Sequence, residues 1–182
     1  MKLATLALAT VAAAAVGMTG CDSPSLLSLD PFVTRDAAVF DAGLLGTWTE
    51  GAKDDSDLCI IRPGADAGYR ITYVGGAAAQ QYDALMFSVG DARILDLSPA
   101  NSDDFSIAGH VPVRVWIEGS QLRWSYLDSE WLREQAGRQL AVRSLEKRML
   151  LSAPGAATRS FLTKYAADEK AHGGIATWQR LP

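Results

Sequence analysis

Two histidines, His110 and His172, are the first candidates for chemistry, and neither sits in a His-x-x-x-His or His-Glu-x-x-His arrangement. A helical zinc site needs two imidazoles one turn apart, which this spacing does not supply. His172 instead follows a helical pattern, where a histidine suits the negative end of the helix dipole. Asp54-Asp55-Ser56-Asp57 and Asn101-Ser102-Asp103-Asp104 gather oxygen ligands. Both lack the Asp-x-Asp-x-Asp-Gly spacing and the closing bidentate glutamate of an EF-hand, so they read as solvated loops. Serines are plentiful, but there is no Gly-x-Ser-x-Gly elbow to raise one as a nucleophile. Gly75-Gly76 is followed by Ala77-Ala78-Ala79 rather than by Gly-Lys, so it is a turn and not a phosphate loop. Cys59, inside Leu58-Cys59-Ile60-Ile61, reads as a small buried hydrophobe. No residue is assigned to catalysis, to a metal or to a cofactor. What remains is aromatic: Tyr69, Tyr73, Trp124 and Tyr126 have apolar bodies and polar tips suited to a ligand cavity, although the same side chains would equally fill a solid core.

Composition bounds the setting. The 182 residues are 48% hydrophobic and 21% charged, and every aromatic side chain lies after residue 20, which is enough for one domain with a real core. The net charge of −4 has the wrong sign for a sequence-independent nucleic-acid binder. Two cysteines allow neither a disulfide framework nor a thiolate zinc site.

The N-terminus has the layout of an export signal: Lys2, an uncharged run from Leu3 to Val16, then Gly17, Met18, Thr19, Gly20 and Cys21. Fourteen helical residues reach ~21 Å, short of the ~30 Å hydrocarbon core, which favours a cleaved segment over a permanent span. Met18-Thr19-Gly20-Cys21 resembles the lipobox of bacterial lipoproteins. The resemblance implies that residues 1–20 are removed and that Cys21 is lipidated, becoming the acylated N-terminus of an exported protein facing the periplasm. Asp22 is similar to an inner-membrane retention signal, and whether the inner or the outer membrane holds the anchor stays open.

Residues 21–42 read as a lipid-anchored tether with Pro24 and Pro31, whose Leu26, Leu27, Leu29, Phe32 and Val33 are able to dock, followed by a short helical turn capped by Asp36 or Asp41 and ended by Gly46. Beyond it, short segments rich in β-formers and bounded by Gly, Pro, Asp or Ser predict strands at 47–50, 58–62, 69–74, 81–89, 93–97, 110–118, 121–127, 148–152 and 174–181. Gly119-Ser120 between two alternating runs suits a two-residue type II′ turn. That register puts Val113, Val115, Ile117, Leu122, Trp124 and Tyr126 on one face, and Arg114, Trp116, Arg123 and Ser125 on the other. Around Gly90-Asp91 apolar residues fall on both faces, so both are expected to be covered. Helices are predicted from Ser129 to Gly137, capped by Asp128, and from Pro154 to His172.

Eight or nine antiparallel strands over residues 43–182, with one or two peripheral helices, predict an up-and-down β-barrel. Gly46-Thr47-Trp48, after a helical turn and opening the first strand, resembles the Gly-x-Trp motif of lipocalins and related calycin barrels. The resemblance implies that Trp48 plugs the closed end and that a basic residue of the last strand, here Arg180, lies across it. Arg93-Ile94-Leu95-Asp96-Leu97, with Trp131-Leu132 and Leu150-Leu151-Ser152, is also similar to a pattern among bacterial lipoproteins of unassigned function. The expectation is a non-catalytic envelope lipoprotein, anchored to a membrane through lipid, that binds a small apolar ligand in its barrel or else contacts an envelope protein through a solid-cored domain.

Overall fold

The computed structural model describes residues 26–51, 57–75, 78–101, 109–145 and 148–182. The leader, Cys21, residues 54–56, Gly76 and residues 102–104 lie outside them. In chain order the strands are β1 (Leu26–Ser28), β2 (Gly46–Thr49), β3 (Leu58–Pro63), β4 (Tyr69–Gly75), β5 (Ala78–Val89), β6 (Ala92–Pro99), β7 (Val111–Glu118) and β8 (Gln121–Tyr126). Helix α1 (Ser129–Gln139), strands β9 (Val142–Leu145) and β10 (Arg148–Leu151), helix α2 (Gly155–Tyr165) and β11 (Ala176–Arg180) follow.

Strands β2 to β8 each pair antiparallel with the next, and β11 sits between β8 and β2, closing an eight-stranded barrel. Tight turns set the registers. At Gly119 φ is +62° while Ser120 stays in the ordinary region, as a type II′ turn requires. Glu118 therefore faces Gln121, Val115 faces Trp124 and Val113 faces Tyr126. Gly90, with φ +55°, turns β5 into β6 in the same way, pairing Val89 with Ala92.

The β5–β6 wall separates two apolar cores. Inside the barrel, Met86 and Leu95 join Leu44, Trp48, Ile61, Val113, Val115, Leu122 and Trp178. Outside, Phe87, Ala92 and Ile94 pack with Leu26, Phe32, Val33, Leu132, Leu151, Phe161 and Leu162 from β1, the segment after it, α1, β10 and α2. Alternation along one hairpin thus feeds both cores, which is why neither of its faces is polar.

Residues 148–152 do form a strand, but not a barrel strand. Strand β10 pairs with β9 and, in parallel, with β1 in a separate three-stranded sheet. An alternating apolar pattern defines a half-buried strand without naming its partner, and the short β1 and β9 carry too little pattern to be read alone. Helix α1 is capped by Asp128, whose carboxylate accepts from Glu130 N and Trp131 N, and it runs past Gly137 to Gln139. Helix α2 stops at Tyr165 rather than reaching His172. A separate 3-10 turn, Glu169–Ala171, follows, capped by the Asp168 carboxylate accepting from Lys170 N.

The segment after β1 is fastened to the barrel rather than loose. Ser28 exchanges backbone hydrogen bonds with His110 at 2.8 Å, and Val39 N donates to Met86 O at 2.8 Å, beyond the point where β4 stops pairing with β5. Between these, the buried Asp96 carboxylate accepts from Phe32 N at 2.9 Å and Val33 N at 3.1 Å through one oxygen, and holds His110 Nδ1 at 2.7 Å with the other.

Candidate functional site

One end of the barrel is shut. Asp41 caps the 3-10 turn Ala42–Leu44 by accepting from Gly43 N, which swings Leu44 into the barrel, where it is fully buried. Trp48, also fully buried, donates from Nε1 to Leu44 O at 3.0 Å. The Arg180 guanidinium carbon lies 4.3 Å from the centroid of the Trp48 ring. Its Nη1 donates to Leu45 O at 2.9 Å and its Nη2 to Gly43 O, so one side chain holds the turn, the indole and the last strand together. Arg180 N also donates to Ser120 O, and Leu181 N to Thr47 O, both at 2.8 Å.

Tyr69, expected on a cavity wall, belongs to this closed end and is not among the residues lining the hollow above it. It is buried, its hydroxyl accepts from Asp41 N at 2.7 Å, and its ring stacks on Phe40 with centroids 5.1 Å apart. Burial pushes its phenol upward in pKa, against the backbone hydrogen bond from Asp41. Tyr69 opens its strand beside the Gly64–Gly68 turn, and that position puts it at the plug rather than on the wall.

Above the plug the interior is hollow. A half-open cavity of about 230 Å³ is bounded below by Leu44, Ile61, Leu95, Val115 and Leu122, with Ile71, Leu97 and Val113 on the wall. Tyr73, Trp124 and Tyr126 line it together with Trp178, Tyr82, Gln80 and Cys59. Period-two alternation on each strand delivers these side chains inward. Trp178 ties the aromatic wall together, 6.0 Å from Tyr73 and 6.2 Å from Trp124 between ring centroids, with Tyr126 edge-on to Trp124 at 5.3 Å.

Two hydrogen-bonded polar pairs sit on the upper wall, and the buried Nε1 of Trp178 has no hydrogen-bond partner among the described residues. Tyr73 donates its hydroxyl to the Asp57 carboxylate, and Tyr82 donates to Gln80 Oε1. Burial raises the Tyr82 phenol and pushes the Cys59 thiol up to about 12, so both stay protonated at neutral pH. Cys59 is the free cysteine of the described residues and an inert part of the wall.

The histidines serve elsewhere. His110 and Asp96 form a pair whose carboxylate is already occupied by the Phe32 and Val33 amides, an arrangement that fastens a strap. His172 lies edge-on to Trp116 with centroids 6.0 Å apart, and burial together with the nearby Arg114 cation lowers it to about 4. Trp116 lies on the outer barrel face between Arg114 at 4.5 Å and Arg123 at 5.4 Å, and Arg123 is paired with Glu118. Among the described residues no group of three His, Cys, Asp or Glu is placed to hold a metal ion, and no helix is long and apolar enough to cross a membrane. No protein-family model matches the chain, and neither a curated protein nor a solved structure matches it, so the closed barrel with its half-open apolar cavity is what bears on function.

Proposed function

We propose that the chain is a membrane-anchored lipoprotein of the bacterial cell envelope that binds a small apolar ligand in its barrel and performs no chemistry on it. The observation that carries this reading is the hollow above the Trp48 plug. A cavity of ~150 Å³ lined by apolar side chains accepts benzene, so about 230 Å³ corresponds by proportion to about nine non-hydrogen atoms, with an open end through which a longer molecule extends. The wall has the composition of a ligand site, mostly apolar with a few polar tips gathered in one place. The anchor rests on the lipobox resemblance at Cys21. Leu26 is five residues further on, a chain reach of at most ~18 Å, so an acylated Cys21 would hold the domain near a bilayer surface.

The test is mass spectrometry of small molecules carried by the protein when it is gently extracted from membranes. A Leu97→Trp variant, which fills the cavity from β6, serves as the comparison. The wild type is expected to carry a molecule that the filled variant lacks. Identical extracts from two folded proteins would refute the binding reading.

A further inference from the structure

The charge distribution of the cavity says which apolar molecules it takes. We infer that the barrel selects uncharged, hydroxyl- or amide-ended amphiphiles and excludes the corresponding carboxylate anions; this rests on the binding reading above and narrows it. Among the described residues that line the cavity none carries a charge at neutral pH, since the polar members are tyrosines, Gln80, the protonated Cys59 and the indole N–H groups of Trp124 and Trp178. An anion drawn inside would lose its hydration and meet no cation among the described lining residues, a large penalty for an ionised group. A charged group tied to the lining has the same sign as such a ligand: the Tyr73 hydroxyl donates a hydrogen bond to the Asp57 carboxylate. A carboxylate end brought to Tyr73 therefore meets repulsion as well as desolvation.

A hydroxyl or amide end is matched. In the Tyr82–Gln80 pair the tyrosine donates to Gln80 Oε1, which leaves the Tyr82 oxygen as an acceptor and the Gln80 amide nitrogen as a donor. Gln80 is exposed, so a ligand group that both donates and accepts can replace water on both partners of this pair at the mouth, whereas a carboxylate only accepts. The apolar remainder then extends down toward the apolar side chains of Leu44, Ile61 and Leu122.

A matched pair of probes tests this. 1-Octanol and octanoate have the same chain and nearly the same size, and at pH 8 only the second is charged. Trp124 and Trp178 line the cavity, so intrinsic fluorescence reports occupancy. Saturable binding of 1-octanol is expected, with octanoate weaker by roughly tenfold or more. Asp57→Asn removes the like charge and is expected to narrow that gap several-fold without weakening 1-octanol. Equal or tighter binding of octanoate would overturn the selectivity and leave the binding reading standing. An unchanged ratio in Asp57→Asn would overturn the role given to Asp57. If neither probe gives a saturable response in the folded wild type, the binding reading falls and this inference with it.

Discussion

Arg180→Ala should be among the most damaging single substitutions outside the apolar cores. It removes a cation 4.3 Å from the Trp48 ring, an interaction of ~0.5 to 2 kcal/mol depending on burial. It also removes two donors to main-chain carbonyls, those of Leu45 and Gly43, and hydrogen bonds from a charged donor contribute ~1.5 to 3 kcal/mol each. The three contacts share one half-buried side chain, and water replaces part of what is lost, so their effects do not add in full. About 3 kcal/mol is the expected net cost. For a chain of this size each kcal/mol moves the melting temperature by ~2 to 4 °C, so the variant should melt about 6 to 12 °C lower. Arg180→Lys keeps a cation near the indole but cannot reach both carbonyls at once, and should fall between wild type and alanine. Thermal unfolding followed by circular dichroism, with near-ultraviolet signals reporting the packing of Trp48, measures both. An Arg180→Ala protein melting within about 1 °C of wild type would show that the last strand does not secure the closed end as its geometry implies.

Four further outcomes are expected. Asp96→Ala strands the amides of Phe32 and Val33 in a buried place, at a cost of ~2 to 4 kcal/mol, and limited proteolysis should then cut between residues 29 and 45; resistance equal to wild type would show that the strap is held by its apolar contacts alone. Cys59, with its thiol near 12, should react with iodoacetamide at pH 8 about three orders of magnitude more slowly than a free thiol in the folded protein. Its contribution to stability should be complete below about pH 8.5, where the unfolded thiol begins to ionise, and should be lost progressively as pH rises toward 12, a decline that Cys59→Ala should flatten. Cys21→Ser should release the protein from membranes or block its processing, and unchanged membrane partitioning and mass would remove the lipid anchor from the proposal.

Local chemistry made the barrel readable and left its additions obscure. The Gly119-Ser120 turn fixed a register that the pairing of Val115 with Trp124 reproduces, because a two-residue loop leaves the flanking strands one way to meet. Asp128 was readable as a cap because its carboxylate satisfies amides two and three residues on, within one stretch of sequence. By contrast, the partners of β10 come from residues 26–28 and 142–145, and no local pattern encodes that choice. Tyr69 and Tyr73 lie on the same face of β4 and look alike in sequence, yet the first is buried in the plug and the second lines the hollow. Height along the barrel separates them, and height depends on how all eight strands are staggered. Alternation along β11 puts residues 178 and 180 on one face, yet Trp178 lines the hollow while Arg180 crosses Trp48 at the closed end, again a difference of height.

The strap between Leu26 and Asp41 has a mechanical consequence. Its bonds reach the barrel at His110 on the approach to β7, at Asp96 on β6, at Met86 on β5 and at Tyr69 on β4, one strand after another. The first barrel strand, β2, begins only after the last of these attachments. Traction applied to the N-terminal end of this segment is therefore delivered to β1 as shear against β10, and then to each attachment in turn. The seam between β2 and β11, where Arg180 crosses Trp48, carries tension last. A domain built in this order yields its outer layer under load while the walls of the hollow keep their shape.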